Sequence, residues 1–267
     1  MSLIGPDPEQ EAIDFIRESI GKDTAFLGFS GGKDSIVTEH LFKLSGVKYE
    51  LYYSFTGLDA PQVIHFIRKY YPNCKFLMPT RTFWQDLSTN CPPSNRLRWC
   101  CHSLKKTPGW KLPHLKRAMG IRAEESSKRS QYGRINHFEK LGHTHFYPLF
   151  HWQEWELWEH IHRYKLIVPE LYSMGFQRIG CVVCPYHSER TGQQHSKYRK
   201  LWPKFFDCFE KGISNLFYKR QDQGRKMYFS SPKQFLKAWY LNASTRWYAD
   251  ENQAVEVEEI GLFAQAV

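Results

Sequence analysis

Apolar and polar positions alternate along the chain in a way that separates helices from strands. Glu9 to Ile20 carries Ala12, Ile13, Phe15, Ile16 and Ile20 at helical spacing and stops at Gly21, which predicts an amphipathic helix. The short apolar run Ala25 to Phe29 reads as a buried strand. Ile36, Val37, Leu41 and Leu44 then recur at helical spacing. Tyr49 to Phe55 reads as a second strand, Pro61 to Tyr70 as a helix, Cys74 to Met78 as a third strand and Thr82 to Leu87 as a short helix. A short strand is expected from Gly120-Ile121-Arg122 and another over His145 to Phe150. Trp152 to His162 follows as a helix whose tryptophans, Trp152, Trp155 and Trp158, read as core. Strands alternating with helices predict an α/β fold with a doubly wound, mainly parallel sheet, whose ligand crevice lies beyond the carboxyl ends of the strands.

From about Leu166 the alternation stops. The chain runs through Tyr172, Gly175 and Gly180 into basic, aromatic helices near Ser196 to Arg220 and Pro232 to Leu241. The expected organisation is therefore an α/β domain over residues 1–165 and a helical C-terminal extension over 166–267, packed on the first. At 267 residues such a chain buries a substantial core. No apolar run approaches the roughly 18 to 20 residues of a membrane span, and Met1 to Gln10 lacks a signal-like segment, so a soluble, cytoplasmic protein without a membrane partner is expected. The formal net charge of +10 suits an anionic partner, whether nucleotide or nucleic acid.

Chemistry enters first at Ser30-Gly31-Gly32-Lys33-Asp34-Ser35, which lies between the first strand and the helix after it. A glycine turn lets the backbone approach an anion, and the helix amides, Lys33, Ser30 and Ser35 are available donors to phosphate oxygens. The spacing is not that of the Gly-x-x-x-x-Gly-Lys-Ser/Thr loop. Asp34 is placed to hold a metal or to cap the helix. The second strand runs into Thr56-Gly57-Leu58-Asp59, where Thr56 and Asp59 either face the same crevice or form a turn with Asp59 capping the next helix. Arg122 and Arg129, flanking Ala123-Glu124-Glu125-Ser126-Ser127-Lys128, are candidates for phosphate or sulfate contacts.

The seven cysteines include two tight pairs, Cys100-Cys101 and Cys181-x-x-Cys184. An odd total with close pairs argues against a secreted disulfide framework and for metal or redox chemistry. A Cys-x-x-Cys turn places two sulfurs on one side; adjacent cysteines converge on a helix or tight turn but suit tetrahedral zinc poorly. An iron-sulfur site, a zinc site and buried free thiols all stay open on spacing alone. Cys74 reads as core, and Cys91 and Cys208 as structural thiols or sulfur carriers.

The loop resembles the pyrophosphatase (PP) loop of the adenine nucleotide alpha hydrolases, the superfamily that holds ATP pyrophosphatases and the phosphoadenosine phosphosulfate (PAPS) reductase family. The Gly-Ile-Arg, Glu-Ser and Arg pattern at Gly120 to Arg129, the Pro148-Leu149 and Trp152 to Trp158 pattern, and the cysteine pairs resemble that family too. The resemblance implies a nucleotide site at Ser30, Gly31, Gly32, Lys33, Asp34, Ser35, Thr56 and Asp59, with catalytic roles for Lys33, Asp34, Arg122 and Arg129. It also implies a four-iron four-sulfur (4Fe-4S) cluster on Cys100, Cys101, Cys181 and Cys184, as in adenosine phosphosulfate (APS) reductases, half of it carried by the extension.

Two departures shape the expected reaction. The loop has the form typical of members that cleave ATP between the alpha and beta phosphates. Asn242 to Val267 lacks the nucleophilic cysteine of the reductases. Together they imply an ATP- and magnesium-dependent transferase of sulfur metabolism, acting on an adenylated acceptor that includes nucleic acid among the possibilities, with a sulfur-donor protein as partner. The alternatives are an oxidoreductase that reduces APS or PAPS through a non-standard thiol such as Cys208 or Cys91, and a nucleic-acid-binding accessory subunit. Oligomeric state, acceptor and donor are not written in the sequence.

Overall fold

The computed structural model describes residues 7–94, 97–187 and 195–240. In chain order its helices and strands are α1 (Pro8–Ile20), β1 (Ala25–Phe29), α2 (Lys33–Ser45), β2 (Tyr49–Ser54), α3 (Pro61–Tyr70), β3 (Lys75–Leu77), α4 (Phe83–Leu87), α5 (Thr107–Trp110), β4 (Lys116–Met119), α6 (Ser127–Ser130), β5 (Ile135–Phe138), β6 (His143–Phe146), α7 (Glu154–Arg163), α8 (His195–Leu201), α9 (Pro203–Asp222) and α10 (Pro232–Tyr240). The chain divides into two compact units. One comprises Met1–Phe55, Pro61–Leu77 and Pro108–Gly175; the other comprises Thr56–Ala60, Met78–Thr107 and Phe176–Val267.

The first unit is an α/β layer structure around a six-stranded sheet of order β3-β2-β1-β4-β6-β5. All neighbouring strands run parallel except β5, which pairs antiparallel with β6. The expected doubly wound, mainly parallel sheet is thus present. From β1 the chain crosses to β2 and β3 on one side and then returns from β3 to β4 on the other side of β1, so the switch point lies at the carboxyl ends of β1 and β4. Leu27 is fully buried in β1 and Ala118 in β4, as strands covered on both faces require. α1 begins at Asp7, whose side chain accepts from the Glu9 amide at 3.1 Å, and stops at Gly21 with φ of +62°. Ala12, Ile13, Ile16 and Ile20 form its buried stripe.

Three local expectations are corrected. The strand placed at Gly120 to Arg122 lies earlier, at Lys116–Met119. A Cβ on Gly120 would sit 2.7 Å from the Asp34 carbonyl oxygen, so this glycine marks where the backbone leaves the sheet to lie against α2. The antiparallel edge β5 was absent from the pattern. Trp155 is exposed rather than core, at 65 %, because it falls on the outer face of α7, whereas Trp152 is buried.

The second unit is helical. Phe206, Phe209, Ile213, Leu216 and Phe217 of α9 form its buried stripe, joined by Phe83 of α4 and by Phe235 and Trp239 of α10. Trp239 donates its indole N–H to the Pro93 carbonyl at 2.7 Å, which satisfies the one polar atom of that ring. No helix among the described residues is long and apolar enough to cross a membrane.

Candidate functional site

In the first unit the Ser30–Ser35 segment forms the turn between β1 and α2. Gly31 adopts φ of +72°, a left-handed conformation costly for any side chain, and a Cβ there would also press on Val63 and Ile67 at 3.1–3.2 Å. Gly32, at the N-cap of α2, has no side chain to cap the helix, and its own amide donates to Ser30 Oγ at 3.3 Å. The two serines serve the turn itself. Ser35 donates to the Gly32 carbonyl at 2.8 Å and accepts from the Ser30 amide at 3.2 Å, and the two hydroxyls lie 3.2 Å apart. They were expected to donate to phosphate; in this structure their hydroxyls brace the loop.

Lys33 is buried, and its ammonium pairs with Glu154 at 3.2 Å. The Lys33 amide donates to the Tyr172 hydroxyl at 2.8 Å, and the ammonium lies 5.6 Å from the centre of that ring. Arg122 is buried beside them at the switch point. Its Nε donates to Asp34 at 2.7 Å, another nitrogen meets Glu124, and a third lies 4.0 Å from Glu154. Lys33, Asp34 and Arg122 therefore come together as expected. Arg129 is linked to this group through Glu125, whose Oε2 pairs with Arg129 and also accepts from the Arg122 amide at 3.2 Å. Glu154 at the start of α7 and Tyr172 beyond it were missed, since an acidic residue in a first helical turn reads as an ordinary capping feature.

The remaining candidates all fall in the second unit. Thr56 and Asp59 form a tight turn: the Thr56 amide and hydroxyl both donate to Asp59 Oδ2, at 2.9 and 2.8 Å. The same hydroxyl lies 3.7 Å from Cys181 Sγ, Asp59 and Cys181 pair as an isolated bridge, and the Val182 amide donates to the Leu58 carbonyl at 2.7 Å. These two residues, expected at the nucleotide, are thus placed in the wall of the cysteine group.

Cys100 precedes a π-helical turn, Cys101–Lys106, that lets two adjacent cysteines act together. Their free thiols share a hydrogen bond. The hydrogen bond from Cys100, with the charges of Lys105 and Arg98, holds Cys101 down to about 5 against the effect of burial. The same bond and burial push Cys100 up, with Cys181 and Cys184 adding to the shift. Burial is the first cause raising Cys181, and burial followed by the Cys181 charge pushes Cys184 up to about 12. Lys105 is held protonated by the Cys181 charge first, with Asp59, Cys101 and Cys184 contributing. Arg98 donates to Cys101 Sγ at 3.8 Å. All four predicted thiols therefore share one electrostatic environment flanked by two cations. Lys105, four residues after Cys101, went unnoticed in a segment rich in lysine.

No three His, Cys, Asp or Glu side chains among the described residues close on a single point as a mononuclear metal site does. Four thiols that sense one another, with one already favouring thiolate and two cations alongside to offset further negative charge, fit a thiolate-held iron-sulfur cluster.

Comparison with known proteins agrees with this layout. A sequence model of the phosphoadenosine phosphosulfate reductase domain matches residues 24–187. An uncharacterised protein of Methanocaldococcus jannaschii is 29 % identical over 213 residues, which is 74 % of this chain and 44 % of that protein. The chain thus spans less than half the length of that curated relative. The adenosine 5'-phosphosulfate reductase of Oceanobacillus iheyensis is 29 % identical over 101 residues, 38 % of this chain and 39 % of the enzyme. The crystal structure of phosphoadenylyl-sulfate reductase from Candida auris in complex with phosphate superposes with a TM-score of 0.51 at 16 % identity, covering 70 % of this chain and 98 % of that one, a likeness of fold. With the loop at the switch point and the paired cysteines inside the matched span, the chain belongs to the phosphoadenosine phosphosulfate reductase domain family.

Proposed function

We propose that the protein cleaves ATP between its alpha and beta phosphates at the Ser30–Ser35 loop and uses the adenylated product in sulfur transfer. The observation that carries this reading is the loop: a glycine turn entering a helix amino terminus, a buried Lys33, and a buried Arg122 at the same switch point. An acceptor oxygen attacks the alpha phosphorus, and the bond to the beta-phosphate oxygen breaks, so pyrophosphate leaves with the electron pair. Lys33 and the amides at the start of α2 neutralise that leaving group, and a group already fixed in place needs no reorganisation as charge develops. Arg122, fixed by Asp34 and Glu124, is placed to meet phosphate oxygens. Asp34 would hold a magnesium ion through its carboxylate, and that ion would supply charge neutralisation at the nucleotide phosphates. The acceptor becomes an adenylate, whose AMP is a good leaving group for replacement by sulfur.

Cys100, Cys101, Cys181 and Cys184 would hold a 4Fe-4S cluster, which would supply electron-transfer chemistry to the sulfur reaction. Lys105 and Arg98 offset the negative charge of that thiolate set. A second reading, reduction of a sulfonucleotide through Cys208, rests on the APS reductase relatives and on the exposure of that thiol.

Product analysis separates the two. Anaerobically purified protein with ATP and magnesium should release AMP and pyrophosphate, with Lys33→Ala lowering the rate by about 100-fold, the loss typical of removing one transition-state donor. Sulfite formed from APS and a thiol reductant, with no pyrophosphate from ATP, would overturn the ATP reading.

A further inference from the structure

The second unit carries a groove between α4 and α9 of about 400 Å³ that the proposed reaction does not use. Cys208, Lys211, Gly212, Asn215, Leu216 and Lys219 line it from α9. They recur at three- and four-residue intervals and so form one stripe of that helix. Gly212 sets its depth: a Cβ there would meet Leu87 of α4 at 2.9 Å. The floor is apolar, made by the buried Leu87 and Leu216. Trp84 stands half-buried on the opposite wall. Lys211 and Lys219 are exposed, form no ion pair among the described residues, and no acidic side chain lines the groove. Glu210 and Asp86, next in sequence to the lining residues Lys211 and Leu87, are paired with Arg199 and Arg81.

The geometry points to a binding site for single-stranded nucleic acid. Eight residues of helix separate Lys211 from Lys219 by about 12 Å, a distance that spans successive phosphodiester links of an extended strand. An indole and two lysines lining one groove match the pairing of a base with its phosphates, and this pairing of stacking and charge is how sequence-tolerant single-strand sites work. An acidic peptide would satisfy the lysines but offers nothing planar to Trp84. The site would give the acceptor of the proposed sulfur transfer a chemical class, and its binding is measurable without that reaction.

The test uses the full chain, no ATP, and a fluorescein-labelled 12-nucleotide strand of mixed sequence, as RNA and as DNA, read by fluorescence anisotropy. Lys211→Glu with Lys219→Glu should weaken binding at least ~10-fold and reduce the slope of log affinity against log salt by about 1.4, two phosphates at about 0.7 each. Trp84→Ala should weaken binding while leaving that slope unchanged. Alkylation of the exposed Cys208 should slow when the strand is added. Lys22→Glu with Lys111→Glu changes net charge equally on exposed residues of the other unit, and should cost no more than ~2-fold. Equal losses in the two double variants would overturn the site. So would a polyglutamate peptide that displaces the strand at equal charge, which would make the groove a peptide site.

Discussion

Replacing Glu154 by glutamine should strengthen, not weaken, the binding of pyrophosphate at the Ser30–Ser35 loop. The Glu154 carboxylate lies 3.2 Å from the buried ammonium of Lys33 and 4.0 Å from Arg122, so an incoming anion must compete with a charge already in place. At an effective dielectric near 20, unit charges at that shorter separation attract by about 5 kcal/mol. The carboxylate side chain is half-exposed, at 49 %, and solvent screening leaves about 1–2 kcal/mol of that attraction. Glutamine keeps the size and removes the charge, so the competition falls by this amount, equivalent to about 10-fold in affinity. Isothermal titration of pyrophosphate with magnesium into wild type and variant, at one fixed ionic strength, reads the change directly. A thermal melt supplies an independent check. The free variant should melt lower, because a buried cation has lost its ion pair with Glu154, and saturating pyrophosphate should raise its Tm by more than it raises that of wild type. Unchanged or weaker pyrophosphate binding in the variant would refute the competition argument and would place Glu154 among the groups that hold the ligand.

Three further outcomes follow from the structure. Gly120→Ala puts a methyl 2.7 Å from the Asp34 carbonyl and from Thr38 Oγ1, where backbone cannot give way, and should cost about 1–3 kcal/mol in urea denaturation. Cys181→Ser should lower iron from about four atoms per chain to below one in anaerobic preparations analysed for iron and sulfide, while the circular dichroism of the sheet persists. Stability should fall in mild acid. Burial, with the charges of His40 and Arg163, pushes His160 down to about 4 against the pull of Glu9. Because the unfolded histidine takes its proton near pH 6.5, its contribution is complete above that value and is lost as pH falls towards 4, on the order of 1–2 kcal/mol by pH 5. Denaturation at about pH 7 and pH 5 measures the loss, and His160→Gln should flatten it.

The parts of this molecule legible in the sequence are those that near neighbours decide. Ala25 to Phe29 is apolar throughout because β1 is covered on both faces, and Gly31 after it is required by its φ of +72°, so strand and turn could be read together. Cys100, Cys101, Cys181 and Cys184 could be grouped because their two close pairs resemble the family's pattern, where spacing alone left several uses open. β5 was not legible, since Ile135 to Phe138 pairs only with β6 at the sheet edge and its Ile135 and Phe138 stay exposed, leaving no buried alternation to detect. Thr56 and Asp59 could not be assigned either: their turn is local, but its neighbour is Cys181, reached through a bridge that local pattern does not encode. The same reason hid Glu154, Tyr172 and Lys105. A charged or hydroxyl side chain carries no local sign of its partner, and Tyr172 meets the Lys33 amide across 139 residues of chain. Sequence therefore located the loop, while the charges that govern its affinity for an anion had to be found by distance. That is why the strength of the site turns on Glu154, outside the motif, as much as on the motif itself.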